Sequence, residues 1–274
     1  MAECLASLDA QTYNDTRVIA IDDGSTDATW DVIQRTKMTK PIERIRTENR
    51  GAHAALNHGL SLAQTEYVAI CNSDDTFAPS RLERMIEVLR SENGRFAFSH
   101  VRYIDPEGAD VSATWDYARD LHHKQRAIES FAAVGYALML TNVAISTGNF
   151  VFALSLIDDV GHFRPYRYVH DWDFALRALL VTEPLYVPEA LYNYRLHAAN
   201  SFRSLDAAAA VECPELMRRF MKSAMTSTRL DNERCPSPAN WPGYFEYFVQ
   251  HHGYEMYQHG WDTIDPPYFA WRQS

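Results

Sequence analysis

Basic charge is scarce in this sequence. Against 36 Asp and Glu stand 26 Lys and Arg, a formal net charge of −10 over 274 residues. That balance argues against a nucleic-acid binder, which needs a basic stripe to neutralise phosphates. It also means that an anionic ligand needs local help, from a cation or from helix N-termini. Long apolar runs are missing too. The longest, residues 131–140, meets Thr141 and Asn142 after about ten residues, roughly half of what spans a bilayer. The opening residues lack the basic start and the sustained apolar stretch of a secretory signal, so the chain reads as soluble and cytoplasmic. Cysteine is sparse: Cys4, Cys71, Cys213 and Cys235 form no C-x-x-C pair, and their spacing suits neither zinc nor a disulfide framework. They read as reduced, mostly buried thiols. No G-x-G-x-x-G follows a strand-like run, which argues against a dinucleotide-dependent dehydrogenase. What the sequence does have is 46% hydrophobic residues, enough for a sizeable core and against disorder.

Those hydrophobic residues alternate between two patterns. Residues 2–11 carry Leu5 and Leu8 at helical spacing, then residues 17–21 (RVIAI) form a short β-branched run that reads as a buried strand. A helix through Trp30, Val32 and Ile33 follows, with Ser25 or Thr26 as its cap. Residues 42–46 form another short strand, residues 51–63 a helix, and residues 67–71 (YVAIC) a second buried strand. Pro79 and Ser80 start an amphipathic helix through Leu82, Met85, Ile86 and Leu89, and residues 96–103 form a further strand. Such alternation predicts an α/β fold, a mixed, mostly parallel sheet with helices on both faces. Beyond it, residues 125–132 read as helical, residues 150–160 as packing on the sheet, and residues 171–180 as an amphipathic helix. Residues 205–225 suggest a long helix, and residues 235–274 look irregular and aromatic-rich.

In open α/β sheets ligands bind at the carboxyl ends of the strands. Two acidic clusters sit there: Asp22-Asp23-Gly24-Ser25-Thr26-Asp27 after the first strand and Asn72-Ser73-Asp74-Asp75 after the third. The first can accept hydrogen bonds from a base N–H and a ribose hydroxyl, or simply be a turn with a helix cap. The second suits a hard divalent cation that keeps places for phosphate oxygens, or helix-start acids complementing a dipole. His170-Asp171-Trp172-Asp173 opens an apolar helix, where one acid can serve as a general base or merely as a cap. His197, within Arg195-Leu196-His197, is by itself more typical of a structural or surface histidine.

In chain order these pieces are joined by Asn49-Arg50-Gly51, Ala55-Leu56-Asn57-His58-Gly59, Gly161-His162-Phe163-Arg164, Leu176-Arg177 and Asn200-Ser201. Together, over about residues 2–203, they resemble the family 2 glycosyltransferases of the GT-A fold. The resemblance implies a nucleotide-sugar donor, a UDP-sugar by expectation, and transfer of the sugar to an acceptor hydroxyl with inversion. It implies that Asp22 and Asp23 hold the nucleoside, with Asn49 and Arg50 in the loop beside it. Asn72 and Ser73 open the segment that stands where the family has Asp-x-Asp; the first position is an amide here, able to hydrogen-bond a ribose but without charge. Asp74 is then the ligand of a divalent cation, Mn²⁺ or Mg²⁺, His197 an additional contact to the metal or the diphosphate, and Asp171 the catalytic base. Relatives begin with a strand that this sequence does not show, which implies exposed sheet edges beside the base pocket.

The division that follows is a transferase domain over residues 1–203, with a nucleotide-sugar half (1–105) and an acceptor half (106–203), and an extension over residues 204–274. In the extension Leu216, Phe220 and Met221 with Arg218, Arg219 and Lys222 suggest either a helix packed on the domain or one resting on the inner face of a membrane. The aromatics from Trp241 to Trp271 suit sugar stacking, internal packing or a homodimer contact. Acceptors consistent with the resemblance are glycans, lipid-linked sugars or proteins, in polysaccharide or lipopolysaccharide assembly. The alternative is a non-catalytic scaffold or glycan-binding module that keeps the fold.

Overall fold

The computed structural model describes residues 1–197, 206–227 and 230–254. Helix α1 spans Ala2–Asp9, followed by β1 (Val18–Asp22), α2 (Thr29–Arg35), β2 (Ile42–Arg46), α3 (Ala52–Leu62), β3 (Tyr67–Ala69), β4 (Thr76–Phe77), α4 (Arg81–Ser91) and β5 (Phe96–Ile104). The second half contains α5 (Asp116–Arg126), a 3₁₀ turn (Ala127–Ser130), α6 (Val134–Leu140), a second 3₁₀ turn (Thr147–Asn149), β6 (Val151–Ala153), α7 (Leu156–Val160), α8 (His170–Leu179), β7 (Leu185–Arg195), α9 (Asp206–Thr226) and α10 (Tyr244–His251).

The strands form two sheets rather than the single one that the alternation predicts. β1 and β2 pair in parallel, and the other five run in the order β3-β6-β5-β7-β4. Among the described residues no strand joins β1 to β3, so each sheet keeps an unpaired edge. Within the larger sheet β5 and β7 are parallel, while β3–β6, β5–β6 and β4–β7 are antiparallel. The parallel share is therefore smaller than expected: the short strands β4 and β6 both run antiparallel to their neighbours, although helices separate them from those neighbours in the chain. β7 escaped the sequence reading for a local reason. Pro188 and Glu189 fall at a register shift, where Ser99 faces Val187 but the next residue, His100, faces Ala190. A bulge of this kind breaks the period-2 pattern and tolerates a residue with no N–H to donate.

Side chains alternate across β5, and the alternation sorts the helices. Phe96 and Phe98 point into a core shared with α6, α8, α9 and α10, whereas Ala97 packs with Met85 and Leu89 of α4 on the opposite face. Phe174 of α8 sits at the centre of the larger core. It stacks on Phe163 at 4.4 Å and meets the rings of Phe96, Phe150 and Phe152. Leu216, Met217, Phe220, Met221 and Ala224 of α9 are buried in the same core. The apolar face of that helix is thus covered by protein, which corrects the idea that it rests on a membrane surface. No helix among the described residues is long and apolar enough to cross one. Trp241, Tyr244 and Phe248 pack around Tyr136, so these aromatics serve packing. The remaining aromatics, Trp261, Tyr268, Phe269 and Trp271, lie outside the described residues, as do Asn200 and Ser201 and the boundary at residues 203–204.

The four cysteines are free thiols, three of them buried. Neither Ser25 nor Thr26 caps α2, whose N-cap is Ala28 without a side-chain cap; Asp27, just before it, accepts the Thr29 N–H at 2.9 Å. Truncating the ring at the core's centre should cost most. Phe174→Ala is expected to lower the unfolding free energy by about 3–5 kcal/mol, read by urea denaturation; a loss of less than about 1 kcal/mol would contradict this description of the core.

Candidate active site

The segment after β3 carries two adjacent acids that the fold sends in opposite directions. Asp75 is fully buried, 0% exposed. Its carboxylate accepts the Tyr192 hydroxyl and, at 2.8 Å, the Arg195 N–H, both from β7. Burial, with the neighbouring Asp74 charge, pushes the Asp75 carboxyl up to about 7. Asp74 keeps 40% of its side-chain surface exposed and meets His197 Nε2 at 3.0 Å. Arg195 joins the two acids: its backbone serves Asp75 while its Nε donates to the Asp74 carbonyl at 2.8 Å. Asn72 points sideways, its amide donating to Ser146 Oγ at 2.7 Å.

The same division occurs at the start of α8. Asp173 is 1% exposed and buried in a pair of salt bridges with Arg164 and Arg177. Arg177 in turn donates to the carbonyls of residues 160–162. Asp173 is therefore a structural acid, and of the two acids in this motif only Asp171 faces the cleft. One Asp171 oxygen accepts the Trp172 N–H at 2.7 Å and the other the Asn142 amide at 2.9 Å. Burial raises the carboxyl above its ordinary range, opposed by His170, the Trp172 amide and Asn142.

The first acid pair is occupied with its own loop. Asp22 is 2% exposed, accepts the Ser25 N–H at 3.1 Å and pairs with Arg46 at 3.2 Å. Asp23 accepts the N–H groups of Arg50 and Gly51 at 3.0 and 2.8 Å, holding the entry to α3. Gly24 has φ +73°, and a Cβ there would lie 2.7 Å from the Asn49 backbone nitrogen, so this turn requires glycine.

A cleft of about 1010 Å³ runs between the two sheets. One wall is residues 18–21 of β1, and the other includes Asn72, Ser73, Asp74 and Asp171. Of the residues singled out in the sequence, these four share the cleft, with His197 behind Asp74. Asp23 and Arg50 instead line a neighbouring cavity of about 470 Å³, which shares Ala55 with the cleft. Asp22 is turned inward, and Asn49 lines neither cavity; Asp23 lies in the cavity adjoining the cleft rather than, as expected, in the cleft with the other acids, and the two cavities meet at Ala55. Sequence reasoning missed Lys124, Asn142, Ser146 and Arg167 on the cleft wall. The one signal for Asn142 is that it ends the longest apolar run. Glu212 of α9 was missed as well; its carboxylate accepts the N–H groups of Arg167, Tyr168 and Val169 and so fixes the loop that enters α8.

Among the described residues no group of three or more His, Cys, Asp and Glu side chains converges to hold a metal. Asp74 and His197 offer one carboxylate and one imidazole in contact at the cleft's edge. That donor set fits a divalent cation whose remaining places are taken by oxygens of a bound ligand.

A family model, Glycosyl transferase family 2, matches residues 1–173. The chain belongs to glycosyl transferase family 2. Among relatives of this family 2 chain, the putative glycosyltransferase EpsH of Bacillus subtilis is 27% identical over 207 residues, covering 72% of this chain and 57% of the relative. Two solved structures share the GT-A fold. One is TarS of S. aureus in complex with UDP-GlcNAc, with a TM-score of 0.59, 17% identity and coverage of 84% of this chain and 64% of the other. The other is the mannosyltransferase PcManGT of Pyrobaculum calidifontis in complex with GDP-Man and Mn²⁺, with a TM-score of 0.60, 17% identity and coverage of 90% and 65%. The chain thus spans less than two thirds of the length of each.

The opposite roles of the neighbouring acids are measurable. Asp75→Ala strands the Tyr192 hydroxyl and the Arg195 N–H and is expected to cost about 2–3 kcal/mol of stability. Asp74→Ala, at a half-exposed position, should change it by no more than about 0.5 kcal/mol. Equal losses from the two variants in urea denaturation would overturn the assignment.

Proposed function

We propose that this chain is an inverting glycosyltransferase that moves a sugar from a nucleotide-diphosphate sugar, a UDP-sugar, to an acceptor hydroxyl. The observation that carries this reading is the cleft itself: Asp74, beside His197, and Asp171 are far apart in the sequence and face one space. In this reading the two groups divide the reaction between them. Asp171 takes the proton of the acceptor hydroxyl as that hydroxyl attacks the anomeric carbon, and the nucleoside diphosphate leaves from the opposite face. A carboxyl raised by burial is a better base than an exposed one, because its conjugate acid holds the proton more tightly. Asn72 and Ser73 lie where a ribose or sugar hydroxyl can be bound, and Asp23 with Arg50 shape the adjoining cavity for the base.

Asp74 and His197 hold Mn²⁺ or Mg²⁺ in this reading; when bound, the cation offsets the charge that develops on the departing diphosphate. The complexes of TarS with UDP-GlcNAc and of PcManGT with GDP-Man and Mn²⁺ support a nucleotide sugar and a cation as the class of ligand. Acceptor choice rests with the second half of the chain, and the setting we propose is glycan, polysaccharide or lipopolysaccharide assembly.

Two experiments test this. Asp171→Asn should keep nucleotide affinity in calorimetry but lose about 10²–10⁴-fold in turnover; a wild-type rate would refute the base. UDP with Mn²⁺ should raise the thermal midpoint of the wild type, because a ligand of the native state stabilises it, and Asp74→Ala should abolish the Mn²⁺-dependent part of the rise. A flat response from the wild type would favour the non-catalytic module instead.

A further inference from the structure

Residues 141–149, between α6 and β6, touch both ends of the cleft. Ser146 accepts the amide of Asn72 at 2.7 Å, Thr147 Oγ1 meets His170 Nε2 at 3.1 Å, and Asn142 reaches Asp171. The backbone of this segment is unusual at Ile145, a β-branched residue with φ +74°. Such residues rarely adopt the left-handed region, and they hold it only where surrounding contacts impose it. Here the Ile145 N–H donates to the Asn142 carbonyl at 3.0 Å, closing the turn that aims the Asn142 side chain.

We propose that Asn142 is a positioning residue for Asp171, fixing the orientation of its carboxylate and keeping it ionised. The inference rests on the reading of Asp171 as the base. The amide's own orientation is set by a second contact: Asn142 Oδ1 accepts the Ala144 N–H at 3.2 Å, which leaves Nδ2 as the group facing Asp171 Oδ2 at 2.9 Å. With Oδ1 of Asp171 engaged by the Trp172 N–H, each carboxylate oxygen receives one donor and retains lone pairs for an incoming hydroxyl. The aspartate cannot then rotate about its side chain without breaking one of the two bonds. The other titratable and charged groups facing this carboxyl are His170 on its own helix, Arg167 before it, Lys124 of α5, Tyr194 of β7, Cys213 of α9 and Asp74 across the cleft.

Two substitutions separate positioning from mere support of the loop. Asn142→Asp keeps an oxygen for the Ala144 N–H but replaces the donor with a second carboxylate; Asn142→Ala removes both contacts. The Asp171 carboxyl is followed by ¹³C NMR in Asp-labelled full-length protein, its signal identified as the one missing from Asp171→Asn. A positioning role predicts that the titration midpoint rises by about one pH unit in Asn142→Ala and further in Asn142→Asp, where two acids share the site. The acid limb of Mn²⁺-dependent UDP-GlcNAc consumption should move to higher pH in the same order, because the base must be ionised to act. A purely structural role predicts that Asn142→Ala is less stable but has an unmoved midpoint, any rise in Asn142→Asp then being only the effect of a second carboxylate beside Asp171. That result overturns the proposal. The base reading fails separately, if Asp171→Asn consumes UDP-GlcNAc at the wild-type rate while the Asn142 variants still shift the carboxyl.

Discussion

A buried carboxylate must find donors, and the way Asp75 finds them fixes the geometry of the whole cleft. Its two oxygens take one hydrogen bond each from Tyr192 and Arg195, so the segment after β3 is pinned to the far end of β7. Two consequences follow from that pinning. Asp74, the next residue back, is forced outward, because its carbonyl is held by the Arg195 side chain. His197, two residues beyond Arg195, is brought to the Asp74 carboxylate from the opposite direction. The pair that faces the cleft is thus an outcome of an interaction that never reaches it. The same logic explains why adjacent acids of one motif have different neighbourhoods: a single backbone step turns one side chain from the core to the rim.

The opposite wall depends on a second buried acid. Asp173 binds Arg164 and Arg177, and Arg177 collects the carbonyls that end α7. Replacing one partner of such a pair leaves a charge without compensation, so its parts are expected to tolerate little change. Asp171, two residues earlier on the helix, faces away from this network and into the cleft. The helix is further held by Glu212, which accepts three consecutive N–H groups just before it begins. Glu212 belongs to α9, a part of the chain that carries none of the sequence motifs. Its apolar side fills the core beneath α8, and its polar side sets the entrance to the cleft. An element that reads as an appendage is therefore built into the wall that bears the proposed base.

Legibility followed the physics of each element. Strands β1 to β3 and β5 were visible because they are short β-branched or aromatic runs closed by polar residues, and α4 and α8 because their apolar residues recur at helical spacing. β7 was hidden by Pro188 and its bulge, and β4 because two residues carry no period. The carboxylates were legible as candidates because acids at strand ends are conspicuous. What separates Asp74 from Asp75 and Asp171 from Asp173 was not, since each choice is made by partners more than a hundred residues away in one case and by two arginines in the other. Asn142 was equally hidden: an asparagine after an apolar run has the look of a turn, and only its reach to Asp171 distinguishes it. The split between the two sheets is likewise a matter of which edges find partners, and local pattern carries no such information.

In the proposed reading the cleft accommodates a ligand of the same sign as the chain. Its wall bears the acids Asp74 and Asp171 but also Lys124 and Arg167, so the local charge is far closer to balance than the net value of −10 suggests. In the neighbouring cavity Arg50 stands opposite Asp23. Asp23 Oδ1 accepts the Arg50 N–H and, at 3.5 Å, the Thr47 hydroxyl, while Oδ2 accepts only the Gly51 N–H of these and keeps a further lone pair. In the proposed reading Oδ2 holds the loop and still accepts a hydrogen bond from the nucleoside. Ala55, in the helix α3 that this loop enters, lines both cavities. In the proposed reading a nucleotide lying past Ala55 has its base against Asp23 and its diphosphate toward Asp74. A chain with few cations needs such an arrangement, because each positive group and each spare lone pair must meet the ligand at the one point where it counts.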